Sequence, residues 1–300
     1  YEQAAATLRD ALADAKTALA AASSIAGRME RIWEFRDSAA LLAHCLLQLG
    51  RTDEALLELD RGKALFWRTD QREWTTADLA GLVPAGGALL FANFAAEPGA
   101  VTIVAASGSE TVWLPHFGRR RLLQLQRGEA SAAALGGWLL AYHQQHSQAA
   151  AWRQMIDDSG RVLYDEIWRP LLQRLPALGV AADGELVWLH QGGSSVFPLH
   201  AAWCADDQGE RHWLLDAHVI RYAPSIGALL AARPANDGRA QVLLVADPLR
   251  DLPFAVVECA WVQQALATPA TLLCNDEATP AAVLAALGRV DILHLATHAR

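Results

Sequence analysis

From Tyr1 to about Trp67 the chain repeats apolar positions at helical spacing, as at Leu8, Leu12, Ala15 and Leu19, and it contains no proline. That pattern predicts helices. Between Leu42 and Gly62, small residues fall at Ala43, Gly50, Ala55 and Gly62. Two helices packed as a hairpin need small side chains where they cross and a glycine near the turn, so this stretch predicts a helical hairpin. A lone hairpin cannot bury both of its faces. The helical region is therefore expected to continue upstream or to pack against the segments C-terminal to it.

Helical periodicity gives way at 75–84, where Pro84-Ala-Gly-Gly precedes short runs of β type. Three strands are predicted at 88–94, 101–105 and 111–114, joined by turns at Glu97-Pro-Gly99 and Ser107-Gly-Ser109, giving a small β-meander. Helices are expected over 120–174, with Leu135, Trp138, Leu139, Tyr142, Leu163, Ile167 and Leu171 at core spacing and Pro176 beyond them. From Glu185 strands alternate with helices, the pattern of parallel βαβ units. The strands are predicted at 186–189, 219–222, 241–246, 271–273 and 291–296, and the helices at 226–232, 254–267 and 280–287. Thr279-Pro280 supplies an N-cap followed by a proline, which needs no amide donor at the first helical position. The expected fold class is thus α/β, a parallel sheet flanked by helices, preceded by the meander and an all-α region.

In an open α/β sheet, chemistry gathers at the carboxyl ends of strands. The residues there are His190, Asp247 and His298. Asp247 closes a strand before Pro248, where it is a candidate for a substrate pocket that takes a basic side chain, or a cap for its loop. His294 lies four residues before His298. On a helix that spacing would suggest a metal pair, but on a strand it sets the two about 13 Å apart, too far to share an ion. Buried structural support is the role expected of His294.

Composition narrows the function classes. The 300 residues are 53% hydrophobic with a formal charge of −8, which disfavours a nucleic-acid surface unless basic residues cluster. Arg119-Arg120-Arg121 is such a cluster, and it fits a solvated helix start. No run of about eighteen apolar residues suggests a membrane span, and no charged leader precedes an apolar core, so a cytoplasmic location is expected. Cys45, Cys204, Cys259 and Cys274 are scattered without metal or disulfide spacing. Gln191-Gly-Gly-Ser-Ser195 lacks the Gly-Lys-Ser/Thr ending of a phosphate loop and fits a glycine-rich turn. Most of the eleven tryptophans should be core, with Trp67 and Trp74 placed to pack the helices onto the α/β part.

Five blocks in order carry a family resemblance. They are Trp188-Leu-His-Gln-Gly-Gly-Ser-Ser-Val-Phe-Pro198-Leu and Trp213-Leu-Leu-Asp-Ala-His-Val-Ile-Arg-Tyr-Ala-Pro-Ser225, then Val242-Leu-Leu-Val-Ala-Asp-Pro248 with Leu252-Pro253 and Glu258, then Glu277-Ala-Thr-Pro-Ala-Ala-Val-Leu, and His294-Leu-Ala-Thr-His298. Together they resemble the CHAT family, caspase-like cysteine peptidase domains that usually follow tetratricopeptide repeats. The hairpin around Gly50 resembles such a repeat. On this resemblance residues 1–75 form a tetratricopeptide-like region, and residues 84–300 a CHAT domain that is incomplete at its C-terminus.

The resemblance implies that His298 is the catalytic histidine and that the nucleophilic cysteine ends the next parallel strand, beyond Arg300. It implies a protein substrate or peptide partner and no metal or organic cofactor. A thiol of unperturbed pKa about 8.5 is mostly protonated at neutral pH, and a neighbouring imidazole raises the thiolate population and later protonates the leaving amine. The family commonly has glycine where this chain has Ala299, a change that costs about 1 kcal/mol if the position needs a positive φ. The four cysteines present fit structural roles, Cys204 because Asp206-Asp207 disfavours a thiolate there. Cys274, which ends a strand, is the control to mutate. The alternative from another class is a catalytically silent scaffold whose repeats bind a partner peptide.

Overall fold

Gly50 has φ 72°, a left-handed conformation that an L side chain resists, and it closes the predicted hairpin. Helix α1 spans Glu2–Ala21, α2 Ser38–Gln48 and α3 Thr52–Ala64. Where α2 and α3 cross, Gly62 faces Ala39, and a Cβ on Gly62 would lie 2.5 Å from that of Ala39. The small residue is what lets the helices approach. The computed structural model describes residues 1–21, 24, 37–64, 74–128, 137–231, 240–252, 254–266 and 268–298, so Trp33, Trp67, Leu135, Pro253 and Ala299 lie outside the described residues. The chain divides into two compact units, Tyr1–Ala231 and Ala232–Arg300.

In the first unit a short helix α4 (Thr76–Ala80) leads into β1 (Ala88–Asn93), β2 (Gly99–Ala105) and β3 (Gly108–Leu114). Helices α5 (Arg119–Arg127), α6 (Gly137–His143), α7 (Ala149–Leu163) and α8 (Arg169–Leu172) come next, then β4 (Leu186–Leu189). β5 (Trp203–Ala205), β6 (Arg211–Trp213), α9 (Leu214–Ala217), β7 (Ile220–Ala223) and α10 (Ile226–Ala231) complete it. The three meander strands do not stand apart. β1 pairs antiparallel with β2 and parallel with β4, giving one sheet of order β3-β2-β1-β4-β7. β5 and β6 form a separate two-stranded hairpin that the sequence pattern does not suggest, because three-residue strands carry too little periodicity to detect.

Successive side chains of β1 and β4 serve opposite cores. Leu90 and Trp188 join Phe94, Phe117, Leu163 and Trp168 on one face, whereas Leu89, Phe91, Val187 and Leu189 join the helical hairpin on the other. The sheet is therefore the middle of three layers, and β1 is buried along its whole length. Trp168 and Trp188 are fully buried with ring centroids 5.0 Å apart. Truncating either to alanine would cost about 3–5 kcal/mol. The hairpin packs against the sheet C-terminal to it: Asn93 Nδ2 donates to the Ala40 carbonyl at 2.9 Å, and Trp74 is buried in the shared core.

The second unit contains β8 (Val242–Ala246), α11 (Ala255–Ala265), β9 (Ala270–Cys274), α12 (Pro280–Leu287) and β10 (Ile292–Ala296). All pairings are parallel, in the order β10-β8-β9. Val242, Leu244 and Ala246 pack under α11, and Leu243 and Val245 face α12. Thr279 caps α12 as predicted, its hydroxyl accepting the Ala282 amide at 3.1 Å.

Candidate active site

The three strands of the second unit end level, with Ala246 in register with both Cys274 and Ala296. The chain turns sharply where β8, buried along its length, and β9 leave the sheet. Asp247 and Asn275 make these turns with φ 46° and 49°, a conformation that Asp and Asn tolerate better than most side chains.

Asp247 is 5% exposed. Its amide donates to the Ala296 carbonyl at 3.1 Å, and its Oδ1 accepts the amides of Asp251 at 2.8 Å and Leu252 at 3.0 Å. One carboxylate oxygen thus holds the loop beyond it, while the backbone of the same residue ties that loop to the end of β10. Arg250 forms an ion pair with Asp276, which binds the loop after β8 to the one after β9.

His298 stands just past β10 with its side chain 45% exposed, its Nε2 3.8 Å from Asp251 Oδ1. Beside it lies a cavity of about 430 Å³ whose lining includes Leu252, Phe254, Glu258, Leu295, Thr297 and His298. The imidazole borders open space. His294, two strand positions before Ala296, is not the buried support that the sequence predicts. It is partly exposed, and its Nε2 meets Glu258 Oε1 at 2.9 Å. The physical reason is that β10 has a strand neighbour, β8, on one edge only among the described residues. Ile292, Leu293 and Leu295 are correspondingly 44%, 37% and 53% exposed, although a parallel strand of this composition is ordinarily covered on both faces.

Neither thiol of this unit adjoins His298. Cys274 ends β9, and β8 lies between β9 and β10. Two strand spacings separate those ends by roughly 10 Å. Cys259 is fully buried on α11. Burial, then Glu258 and Cys274, push its thiol above the ordinary value, and burial with Glu277 does the same to Cys274. Cys45 and Cys204 belong to the first unit.

His190 is likewise in the first unit, at the end of β4. Its ring stacks on Tyr222 at 4.8 Å, and the Tyr222 hydroxyl accepts the His200 amide at 2.8 Å. Burial pushes the Tyr222 phenol up to about 12. Gln191 accepts the Phe94 amide through its side chain, and residues 192–196 form a helical turn with Ser194 buried. Arg119–Arg121 begin α5, where three carboxylates offset the positive helix end. Glu97 accepts the Arg120 amide at 2.5 Å, Arg121 pairs with Glu166 at 2.8 Å, and Arg119 lies 3.4 Å from Asp37.

Asp251 does not stand out in the sequence as a site residue, and Glu258 enters only as part of a family-like block with no role attached. Both are acidic residues on or beside a helix, a position with no distinctive spacing, and only the fold brings them to the two histidines. Among the described residues no three of His, Cys, Asp or Glu converge as metal ligands, and no helix is long and apolar enough to cross a membrane.

A parallel α/β sheet that delivers an imidazole to its carboxyl edge, beside a cavity, is an arrangement suited to general acid–base chemistry. Residues 157–300 match the family model described as CHAT domain, a caspase-like peptidase family. Comparison with curated proteins finds no match.

Proposed function

We propose that this chain is the repeat-linked, histidine-bearing portion of a caspase-like cysteine endopeptidase. His298 serves as general base toward a thiol and then as general acid toward the leaving amine. The thiol ends a strand that pairs with the edge of β10 that has no strand neighbour among the described residues. The observation that carries this reading is the conjunction at one place of an exposed imidazole, a cavity and an apolar strand edge without a neighbour among the described residues. An added parallel strand would lie about 4.8 Å from β10, which brings its terminal residue within reach of the same substrate carbonyl as His298. In this scheme Asp247 shapes the site by holding its loop, and the helical hairpin of α2 and α3, as part of a tetratricopeptide-like region, receives the partner that regulates cleavage.

The 300-residue chain by itself is then expected to have no peptidase activity. Activity that survives replacement of Cys45, Cys204, Cys259 and Cys274 by serine would count against the scheme. In a protein continued past Arg300 through the next strand, an activity-based thiol probe should label one cysteine, and His298→Ala should abolish that labelling. The second reading is a silent scaffold, favoured by the placement of Cys274 two strands from His298. A residue other than cysteine at the end of the next strand would select it.

A further inference from the structure

The imidazole of His298 has two nitrogens, and only one can meet a thiol. Nε2 lies 3.8 Å from Asp251 Oδ1. That carboxylate is not carried on a loose tether. The Asp251 amide is held at 2.8 Å by Asp247 Oδ1, the Leu252 amide by the same oxygen, and the Asp247 amide donates to Ala296, the strand residue two before His298. Arg250 adopts φ 58° and its amide returns to the Asp247 carbonyl at 3.2 Å, so the turn is closed upon itself. These bonds, two to the Asp247 carboxylate and two between backbone groups, fix the start of Asp251 relative to the end of the strand that carries His298. Glu258 does not compete for this ring, because it is engaged with His294 at 2.9 Å.

We propose that Asp251 is a positioning residue for His298. The inference rests on the reading of His298 as the catalytic base. Asp251 accepts the Nε2 proton of the neutral imidazole, which fixes both the tautomer and the ring plane and leaves Nδ1 as the base. The thiol proton passes from sulfur to Nδ1 as the sulfur–carbon bond to the substrate carbonyl forms. The imidazolium so produced lies beside the Asp251 carboxylate until Nδ1 returns its proton to the leaving amine. A base oriented by a third group obeys the general logic of activated nucleophiles, and apo contacts of this kind are often longer than in the working complex.

Two measurements test it. In the protein continued through the next strand, Asp251→Ala is expected to lower kcat about 10- to 100-fold with KM changed less than about twofold, since misdirection of one catalytic group is what is lost. Asp251→Asn, which still offers an oxygen to Nε2, should recover at least about threefold of that loss. An unchanged kcat in Asp251→Ala, with His298→Ala inactive, overturns the positioning role and leaves the dyad standing. In the 300-residue chain, ¹⁵N spectra of the His298 ring should display one slowly exchanging Nε2 proton that Asp251→Ala removes and Glu258→Gln leaves in place. A ring signal indifferent to Asp251→Ala overturns the proposal without reference to peptidase activity. Absence of any thiol-dependent turnover in the continued wild-type protein strikes only the underlying function.

Discussion

The carboxylate of Asp60 accepts the backbone amide of Ile226 at 2.7 Å, across 166 residues of chain. Its second oxygen accepts the indole of Trp74, also at 2.7 Å. Asp60 belongs to the helical hairpin and Ile226 opens the last helix of the same unit, so one buried side chain, 1% exposed, fastens the two ends of that unit together. The negative charge sits at a helix start, where the free amides welcome it.

Asp60→Ala strands both donors in a buried site. A loss of about 2–4 kcal/mol is expected, because an unsatisfied buried donor forfeits its solvation and gains nothing. Asp60→Asn should cost less, since its single carbonyl oxygen satisfies one donor. Urea unfolding followed by tryptophan fluorescence would measure both, and equal midpoints for wild type and Asp60→Ala would refute the assignment.

His44 predicts the pH response of the first unit. It is 4% exposed, lies edge-on to Trp113 at 5.4 Å, and burial holds its pKa below the ordinary 6.5. The unfolded chain therefore takes up this proton at a higher pH than the folded one does. Stability is full above 6.5 and is lost as pH falls through that value, and the slope ends once the lower folded value is passed. Between pH 7.5 and 5.5 the wild type should lose more stability than His44→Leu. A His44→Leu variant with the same pH slope would contradict this.

The thiols offer a chemical check. With burial the largest cause, Cys259 and Cys274 are both held in the neutral form more than an ordinary cysteine. Alkylation at pH 7.5, read by peptide mass, should modify Cys259 at least about tenfold more slowly in the native chain than in urea. Rapid native labelling of Cys259 would mean that α11 does not cover it.

Leu295 is 53% exposed on β10. Among the described residues β10 has a strand neighbour on one edge only, and an apolar strand edge of that kind tends to self-associate. Leu295→Lys should reduce association seen by analytical ultracentrifugation while changing stability by about 0.5 kcal/mol or less, as surface changes generally do. Unaltered association would indicate that another face is responsible.

Much of this architecture is legible in the residues alone. Gly50 marks the hairpin turn because positive φ favours glycine, Thr279-Pro280 marks the start of α12, and the apolar runs of β4, β8 and β10 announce their strands. The partners of those strands are not legible. Nothing in the residues of β1 says that it pairs with β4 as well as β2, since a strand buried on both faces carries no alternation to orient it, and so the pattern predicts a meander standing apart. The strand-end position of His298 is implied by its apolar run. The proximity of Asp251 is not, because a loop carboxylate is informative only once Asp247 has folded the loop back.

The mixed pairing of β1 also sets an order of assembly. β2 lies a short turn away and can close on β1 at once, but Phe94 reaches its bond to Gln191 across 97 residues. Local contacts form early and distant ones late. During synthesis the sheet is therefore expected to stay half-built until β4 emerges, its inner face open to chaperones or to sticky neighbours while Trp188 is still to come. Slowing translation between β3 and β4 would lengthen that interval, and a cell's tolerance of this protein should depend on it.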